Sequence, residues 1–148
     1  MIKIEIQNAS QDRDIPAKKQ LQDWATSALD DAGKDNLTIR IVDEEESAAL
    51  NRNWRGREGP TNVLSFPYGD DQHVPEYLGD IVLCAPVIKR EASEQGKPVE
   101  AHWAHMIIHG ILHLQGYDHQ EQTETEKMEQ LETRLLNAIG FENPYQVD

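Results

Sequence analysis

The stretch from Val99 to Leu114, VEAHWAHMIIHGILHL, limits the possible folds more than any other part of the chain. Pro98 can begin a helix here, and apolar residues would occur on almost every side of it. A helix that is apolar nearly all round has to be covered on most sides. The sequence therefore predicts a central, buried helix with the rest of the chain packed around it.

The remaining elements follow from hydrophobic periodicity and from residues that begin or end helices. Asp43 and Glu46 predict a capping box at the start of a helix that carries Ala49, Leu50 and Trp54 and stops near Gly56. The predicted strands are Ile2–Ile6, Leu37–Val42, a short strand within Pro60–Pro67, and Gly79–Ala85. The other predicted helices begin at Pro16, Pro86, Pro98 and near Gln120, and the last has the inner stripe Met128, Leu131, Leu135 and Ala138.

This order of elements, β-α-β-α-β-β-α-α-α, predicts an α+β domain with a small mixed four-stranded sheet and five to six helices. A length of 148 residues suits one domain over 1–148. The apolar fraction of 38% is typical of a globular chain, and no apolar run approaches the ~20 residues of a membrane span. One cysteine, Cys84, and an N-terminus that alternates like a strand favour a reducing, cytoplasmic location.

Charge is distributed unevenly along the chain. The net charge of −13 argues mildly against non-specific nucleic-acid binding, which depends on Lys and Arg. Arg52, Arg55 and Arg57 nevertheless cluster in NRNWRGRE. A small basic patch on an acidic protein therefore remains possible.

Three histidines in HGILHLQGYDH have the spacing of a metal site. His109 and His113, four residues apart on the central helix, share a face, although such a pair alone is more often incidental. Gly116 can end the helix with a left-handed turn, and the chain can then bring His119 back to that face. Three neutral imidazoles suggest zinc, with nickel or another first-row ion possible in vitro, and leave a position open for water, as in catalytic sites.

Other histidines fit this site less well. His105 and His113 are eight residues apart, roughly 12 Å along a helix axis, so one ion cannot easily bind both. His102 and His105 are interpreted as surface residues, as supports of a ligand or as substrate-side residues. His73 lies in a polar stretch and is interpreted as solvated.

HGILHLQGYDH resembles the HGxLHLxGYDH signature of the YbeY family of bacterial metal-dependent endoribonucleases. Asn51–Pro67, NRNWRGREGPTNVLSFP, and Gly79–Ile81, GDI, are similar to further blocks of that family. The resemblance implies one zinc ion held by His109, His113 and His119, and Arg55 as an active-site arginine. It implies helices and a small mixed sheet around a central metal-bearing helix. It also implies cleavage of single-stranded RNA in 3′-end maturation of small-subunit (16S) ribosomal RNA and in ribosome quality control, with the ribosome or its small-subunit proteins as partners.

Gly110 separates this pattern from HExxH metallopeptidases, in which a glutamate at that position is the general base. Asp118 could replace it, although a cap or a hydrogen bond to a ligand histidine explains Asp118 better. Arg52 and Arg57 could hold RNA or be solvated, and Thr61, Asn62 and Ser65 could line a cleft or only build strand and turn. Two alternatives stay open: a metal-dependent hydrolase of another substrate, such as a peptide, and a non-enzymatic ribosome assembly factor with structural zinc.

Overall fold

A computed structural model describes residues 3–30, 36–67, 77–117 and 122–145. Within these residues lie four strands and five helices, in the predicted order, so the α+β class is confirmed. The strands are β1 (Lys3–Asn8), β2 (Asn36–Val42), β3 (Val63–Pro67) and β4 (Tyr77–Cys84). The helices are α1 (Lys18–Ser27), α2 (Glu44–Arg55), α3 (Ala85–Gln95), α4 (Val99–Leu114) and α5 (Gln122–Ala138).

The strands form one mixed sheet in the order β1-β2-β4-β3. β1, β2 and β4 run parallel, and β3 pairs antiparallel with β4, so β3 is an edge strand. β4 is apolar because both of its faces are covered. Ile81 and Leu83 join the larger core cluster with α1 and α4, whereas Val82 and Cys84 join a smaller one on the other face, against which Leu50 of α2 packs.

α4 occupies the central position that its composition predicts. Eleven of its sixteen residues are buried, including Trp103, Ile107 and Ile111. The helix ends as predicted near Gly116, whose φ of 99° is left-handed, and the N–H of Tyr117 donates to the carbonyl of Leu112 at 3.0 Å. In the described part of the chain, no helix has the length and the apolar character needed to cross a bilayer.

The capping-box prediction for α2 is wrong. Asp43 is the N-cap residue, but its side chain makes no capping hydrogen bond. Its carboxylate accepts instead from the hydroxyl of Ser10 and, at 3.0 Å, from the N–H of Gln11. Glu46 does not reach back to the cap, because it pairs with Arg40 at 2.6 Å. Both acids therefore tie α2 to neighbouring strands and loops rather than to its own first turn.

α4 packs closely against the sheet at Gly110. A Cβ atom at this position would lie 3.0 Å from Cγ2 of Ile81, 3.1 Å from Cγ2 of Val63 and 3.4 Å from Oγ of Ser65. Ile81 is fully buried and β-branched, so its methyl group has little freedom to move. Glycine thus lets α4 pack directly against β3 and β4.

We expect Gly110→Ala to lower the free energy of unfolding by about 1–2 kcal/mol, since overpacking outweighs the higher helix propensity of alanine. Urea denaturation measures this change. Val63→Ala removes one of the crowding methyl groups, so the double variant should be more stable than the sum of the two single effects. Strict additivity, or a Gly110→Ala protein more stable than the parent, would contradict the packing argument.

Candidate metal centre

His109 and His113 point their ring nitrogens at each other. Their Nε2 atoms are 3.1 Å apart, and both side chains are half-buried at the C-terminal end of α4. Two ligands of a tetrahedral zinc ion, each roughly 2.0–2.1 Å from the metal, lie about 3.3 Å from each other. The pair therefore fits one ion. His119, the third predicted ligand, lies outside the described residues, as do Asp118 and His73.

A buried carboxylate fixes the ring of His109. Glu132 of α5 is fully buried, and its Oε1 lies 2.5 Å from Nδ1 of His109. Its Oε2 lies 3.0 Å from Nε2 of His105 and also accepts from the hydroxyl of Tyr145. An ionised carboxylate only accepts hydrogen bonds, so the Nδ1 of His109 carries the proton. The Nε2 lone pair then faces His113, as a metal ligand requires.

His105 and His109 keep Glu132 ionised. Burial alone would raise its pKa, but the hydrogen bonds and charges of His105 and His109 lower the pKa of Glu132 to about 2. Burial and contact with Glu132 raise the pKa of Tyr145, which therefore stays a protonated donor. The carboxylate is thus a permanent acceptor behind the His109 ring.

His105, His109 and Glu132 could themselves surround an ion, because their ligand atoms lie within 4.8 Å of one another. The 2.5 Å between Nδ1 of His109 and Oε1 of Glu132 is a hydrogen-bond distance and is shorter than the roughly 3.3 Å between two ligands of one zinc ion. Tyr145 also occupies Oε2 of Glu132. The space between His109 and His113 therefore fits a metal ion better, and Glu132 holds the ring of His109 in place.

His102 and His105 are buried, so the interpretation of either as a surface residue is wrong. His102 lies 2.8 Å through Nε2 from Oε1 of Glu91, and burial lowers the pKa of His102. His102 and His105 line a cavity of about 1030 Å³ with Glu91 and Tyr145. His105 and His109 contact the same carboxylate, that of Glu132.

Arg55, the predicted catalytic residue, ends α2 and is exposed. Among the described residues it makes no hydrogen bond or ion pair, and none to the histidines. The polar residues that were candidates for lining a cleft have structural partners. Thr61 exchanges hydrogen bonds with Ser47, Asn62 donates to Glu91, and Ser65 donates to the carbonyl of Gly110 at 3.0 Å.

Gly110 cannot be replaced by the glutamate of an HExxH enzyme without disturbing the fold. Its missing side chain would point at Ile81, Val63 and Ser65 in the sheet. A carboxylate at position 110 would have to displace buried methyl groups rather than reach the open side of the histidine pair. The site therefore has no general base at the position that metallopeptidases use.

Comparisons with known proteins identify the family of this chain. The sequence model described as "Endoribonuclease YbeY" matches residues 5–140. The chain belongs to the Endoribonuclease YbeY family. A family member from Methylococcus capsulatus is 56% identical over 146 residues, covering 98% of this chain and 96% of its own. One from Coxiella burnetii (strain Dugway 5J108-111) is 47% identical over 154 residues, covering 99% of both chains.

A solved structure shares the fold of this YbeY-family chain. The solution structure of TM1509 from Thermotoga maritima aligns with a TM-score of 0.55 and 25% identity, and covers 97% of this chain and 99% of that one. The likeness extends across the sheet and helices, and therefore supports the α+β assignment.

Sequence reasoning missed Glu132 and Tyr145. α5 is rich in glutamate, so Glu132 resembles its solvated neighbours. The available signal was position, since Glu132 lies four residues after the buried Met128 and four before the buried Leu136. Ala138, in contrast, was predicted on the inner stripe and is exposed.

We expect Glu132→Gln to weaken zinc binding by about 10- to 100-fold, because an amide cannot accept from three donors and no longer fixes the His109 tautomer. Competition with a chromophoric chelator measures the Kd. Glu126→Gln, an exposed change on the same helix, is the matched control. An unchanged Kd in a folded Glu132→Gln protein would contradict the supporting role.

Proposed function

We propose that this chain is a zinc-dependent endoribonuclease that cleaves single-stranded RNA. The observation that carries the proposal is the convergence of the His109 and His113 Nε2 atoms in front of the buried Glu132 carboxylate. Membership of a family described as endoribonucleases supports RNA as the substrate. The proposed protein is one domain over residues 1–148, located in the cytoplasm.

The proposed biological substrate is the 3′ end of small-subunit (16S) ribosomal RNA, with a role in ribosome quality control. Single-stranded segments of ribosomal RNA would enter the site on the ribosome or beside small-subunit ribosomal proteins. The resemblance of HGILHLQGYDH and NRNWRGREGPTNVLSFP to the family's signatures supports this assignment.

His109, His113 and His119 would hold the metal ion. Zinc bound there would supply a Lewis acid that polarises a phosphoryl oxygen and lowers the pKa of water. Glu132 holds the Nδ1 proton of His109 and so keeps Nε2 available. The proton acceptor in cleavage has to come from elsewhere than position 110, for instance from Asp118 or from the RNA itself.

Arg55 would stabilise charge on the reacting phosphate, since a guanidinium donates two parallel hydrogen bonds to phosphate oxygens. Some cations of the described residues are already held in ion pairs. Lys89 lies 2.5 Å from Asp12, and Arg90 lies 3.2 Å from Glu44, so both are paired. Arg55 has no carboxylate partner among the described residues, and this leaves its charge available to RNA.

A peptidase is the first competing function, and the crowding at Gly110 weighs against it. A non-enzymatic ribosome assembly factor with structural zinc is the second. Three protein ligands leave a coordination position open, whereas structural zinc sites are almost always closed by four. The open ligand set therefore favours an enzyme.

We expect Arg55→Ala to slow cleavage of single-stranded RNA by about 10²- to 10³-fold while zinc content stays unchanged. His113→Ala should lose both zinc and RNA cleavage. Wild type should not hydrolyse a panel of peptides. Arg13→Ala, a change of another exposed arginine, is the control for net charge. RNA cleavage that survives His113→Ala, or Arg55→Ala at full activity with zinc bound, would contradict the respective role.

Zinc binding should also be visible as stability. Free zinc at about 100 times its Kd should raise the free energy of unfolding of the metal-free protein by about 2.7 kcal/mol. Thermal denaturation with and without zinc measures this, and EDTA should reverse it. His113→Ala should show a much smaller rise. An equal rise in wild type and His113→Ala would place the ion elsewhere.

A further inference from the structure

Trp54 is unusually exposed for its residue type. It is 71% exposed, whereas Trp24 and Trp103 are 5% and 1% exposed. Its ring packs edge-to-face against Phe66 of β3, at a centroid distance of 6.0 Å and an interplanar angle of 76°. Most of the indole surface consequently faces water, although tryptophan usually buries a large area.

Three arginines surround this tryptophan in the sequence. Arg52 and Arg55 lie in the last turn of α2, and Arg57 follows the left-handed Gly56 that ends the helix. In the described part of the chain, none of the three lies within ion-pair distance of a carboxylate. Arg40, in contrast, is paired with Glu46.

The two ends of α2 have opposite charge. Glu44, Glu45 and Glu46 form its first turn, and Arg55 is its last residue. At 1.5 Å per residue these ends are roughly 15 Å apart, more than the ~8 Å Debye length at physiological salt. A polyanion at the arginine end is therefore largely screened from the glutamates. The helix dipole explains a cation in the last turn, but neither Arg57 nor the exposed indole.

One strand, β3, lies between the exposed Trp54 and the His109–His113 pair. Trp54 contacts Phe66, and the next residue in the strand, Ser65, donates to the carbonyl of Gly110. Gly110 directly follows His109. β3 is the edge strand of the sheet that residues 3–30, 36–67 and 77–117 form. An extended chain could pass around this edge from the histidines to Trp54.

We propose that Arg52, Trp54 and Arg57 form a base-stacking platform for single-stranded RNA, a few nucleotides from the scissile phosphate. A base stacks on the indole, and the two guanidiniums bind the flanking phosphates. Base–aromatic stacking next to cationic groups is the general physical mode of binding single strands with little sequence preference. This proposal rests on the proposed ribonuclease function and adds a determinant of where the RNA lies.

A protein partner fits this surface less well. A stable protein interface needs a contiguous patch with several buried anchors. Among the residues that the structure describes, the other exposed large apolar ones are Val99, Tyr117 and Tyr145, on α4, after α4 and after α5. Trp54 therefore exposes its indole beside arginines that have no carboxylate partner among the described residues, and this arrangement suits one base and its phosphates.

Binding can be measured without cleavage in the His113→Ala background, by the anisotropy of a short fluorescein-labelled oligoadenylate. Adding Trp54→Ala should weaken binding by about 5- to 100-fold, and Trp54→Phe should restore most of it because the ring is retained. Arg52→Gln and Arg57→Gln should each reduce the dependence of log K on log salt by about 0.7. Arg13→Gln is the matched control for charge.

Tryptophan fluorescence gives a second, local measurement. Because Trp24 and Trp103 are buried, RNA should quench mainly the emission of Trp54. Trp54→Phe should abolish this quenching while leaving RNA affinity close to that of the parent. In the zinc-loaded enzyme, Trp54→Ala should raise KM for RNA with kcat nearly unchanged, since the platform is remote from the reacting phosphate.

The outcomes separate this proposal from the function on which it rests. If the zinc-loaded wild type cleaves RNA and Trp54→Ala has the same KM and affinity, the platform is wrong and the ribonuclease stands. If the wild type neither binds nor cleaves RNA, the function itself fails, and the platform with it. If Trp54→Ala loses binding of a small-subunit ribosomal protein but keeps RNA affinity, the surface is a protein-docking site and the RNA platform is overturned.

Discussion

The direct contact between α4 and the sheet at Gly110 is the constraint on which the rest of the structure depends. A helix without a side chain at this position can lie against Ile81 and Val63 at van der Waals distance. That contact fixes the height and rotation of α4, and with them the direction of His109 and His113. The same contact removes the position that metallopeptidases use for a general base. One packing requirement therefore sets both the geometry of the site and part of its chemistry.

Glu132 connects the site to the remaining fold. Burying a carboxylate costs several kcal/mol unless donors replace its water, and here His105, His109 and Tyr145 do so. The donors come from α4 and from the segment after α5, so the charge holds three parts of the chain together. The hydrogen bonds that stabilise the buried carboxylate also hold His109, the proposed ligand, so loss of one partner should affect both folding and metal affinity.

The sequence predicts features that depend on local pattern. The buried α4 and the shared face of His109 and His113 both follow from spacing and apolar content. Features that depend on distant partners could not be predicted. The Asp43 carboxylate serves Ser10 and Gln11 rather than its own helix. Trp54 was placed among the apolar residues of α2 by periodicity, but periodicity does not show that the sheet ends at β3 and leaves the indole exposed.

Net charge is a poor guide to RNA binding in this protein, because electrostatic attraction acts locally at physiological salt. The value of −13 is a sum over the whole chain and does not show where the charge lies; Glu44, Glu45 and Glu46, for example, lie at the other end of α2 from Arg55. An incoming phosphate would meet the last turn of α2, where the arginines have no carboxylate partner among the described residues. The acidic residues on the other faces of the protein would also repel RNA. The charge distribution would then restrict productive approach to the edge of β3, which leads to His109 and His113.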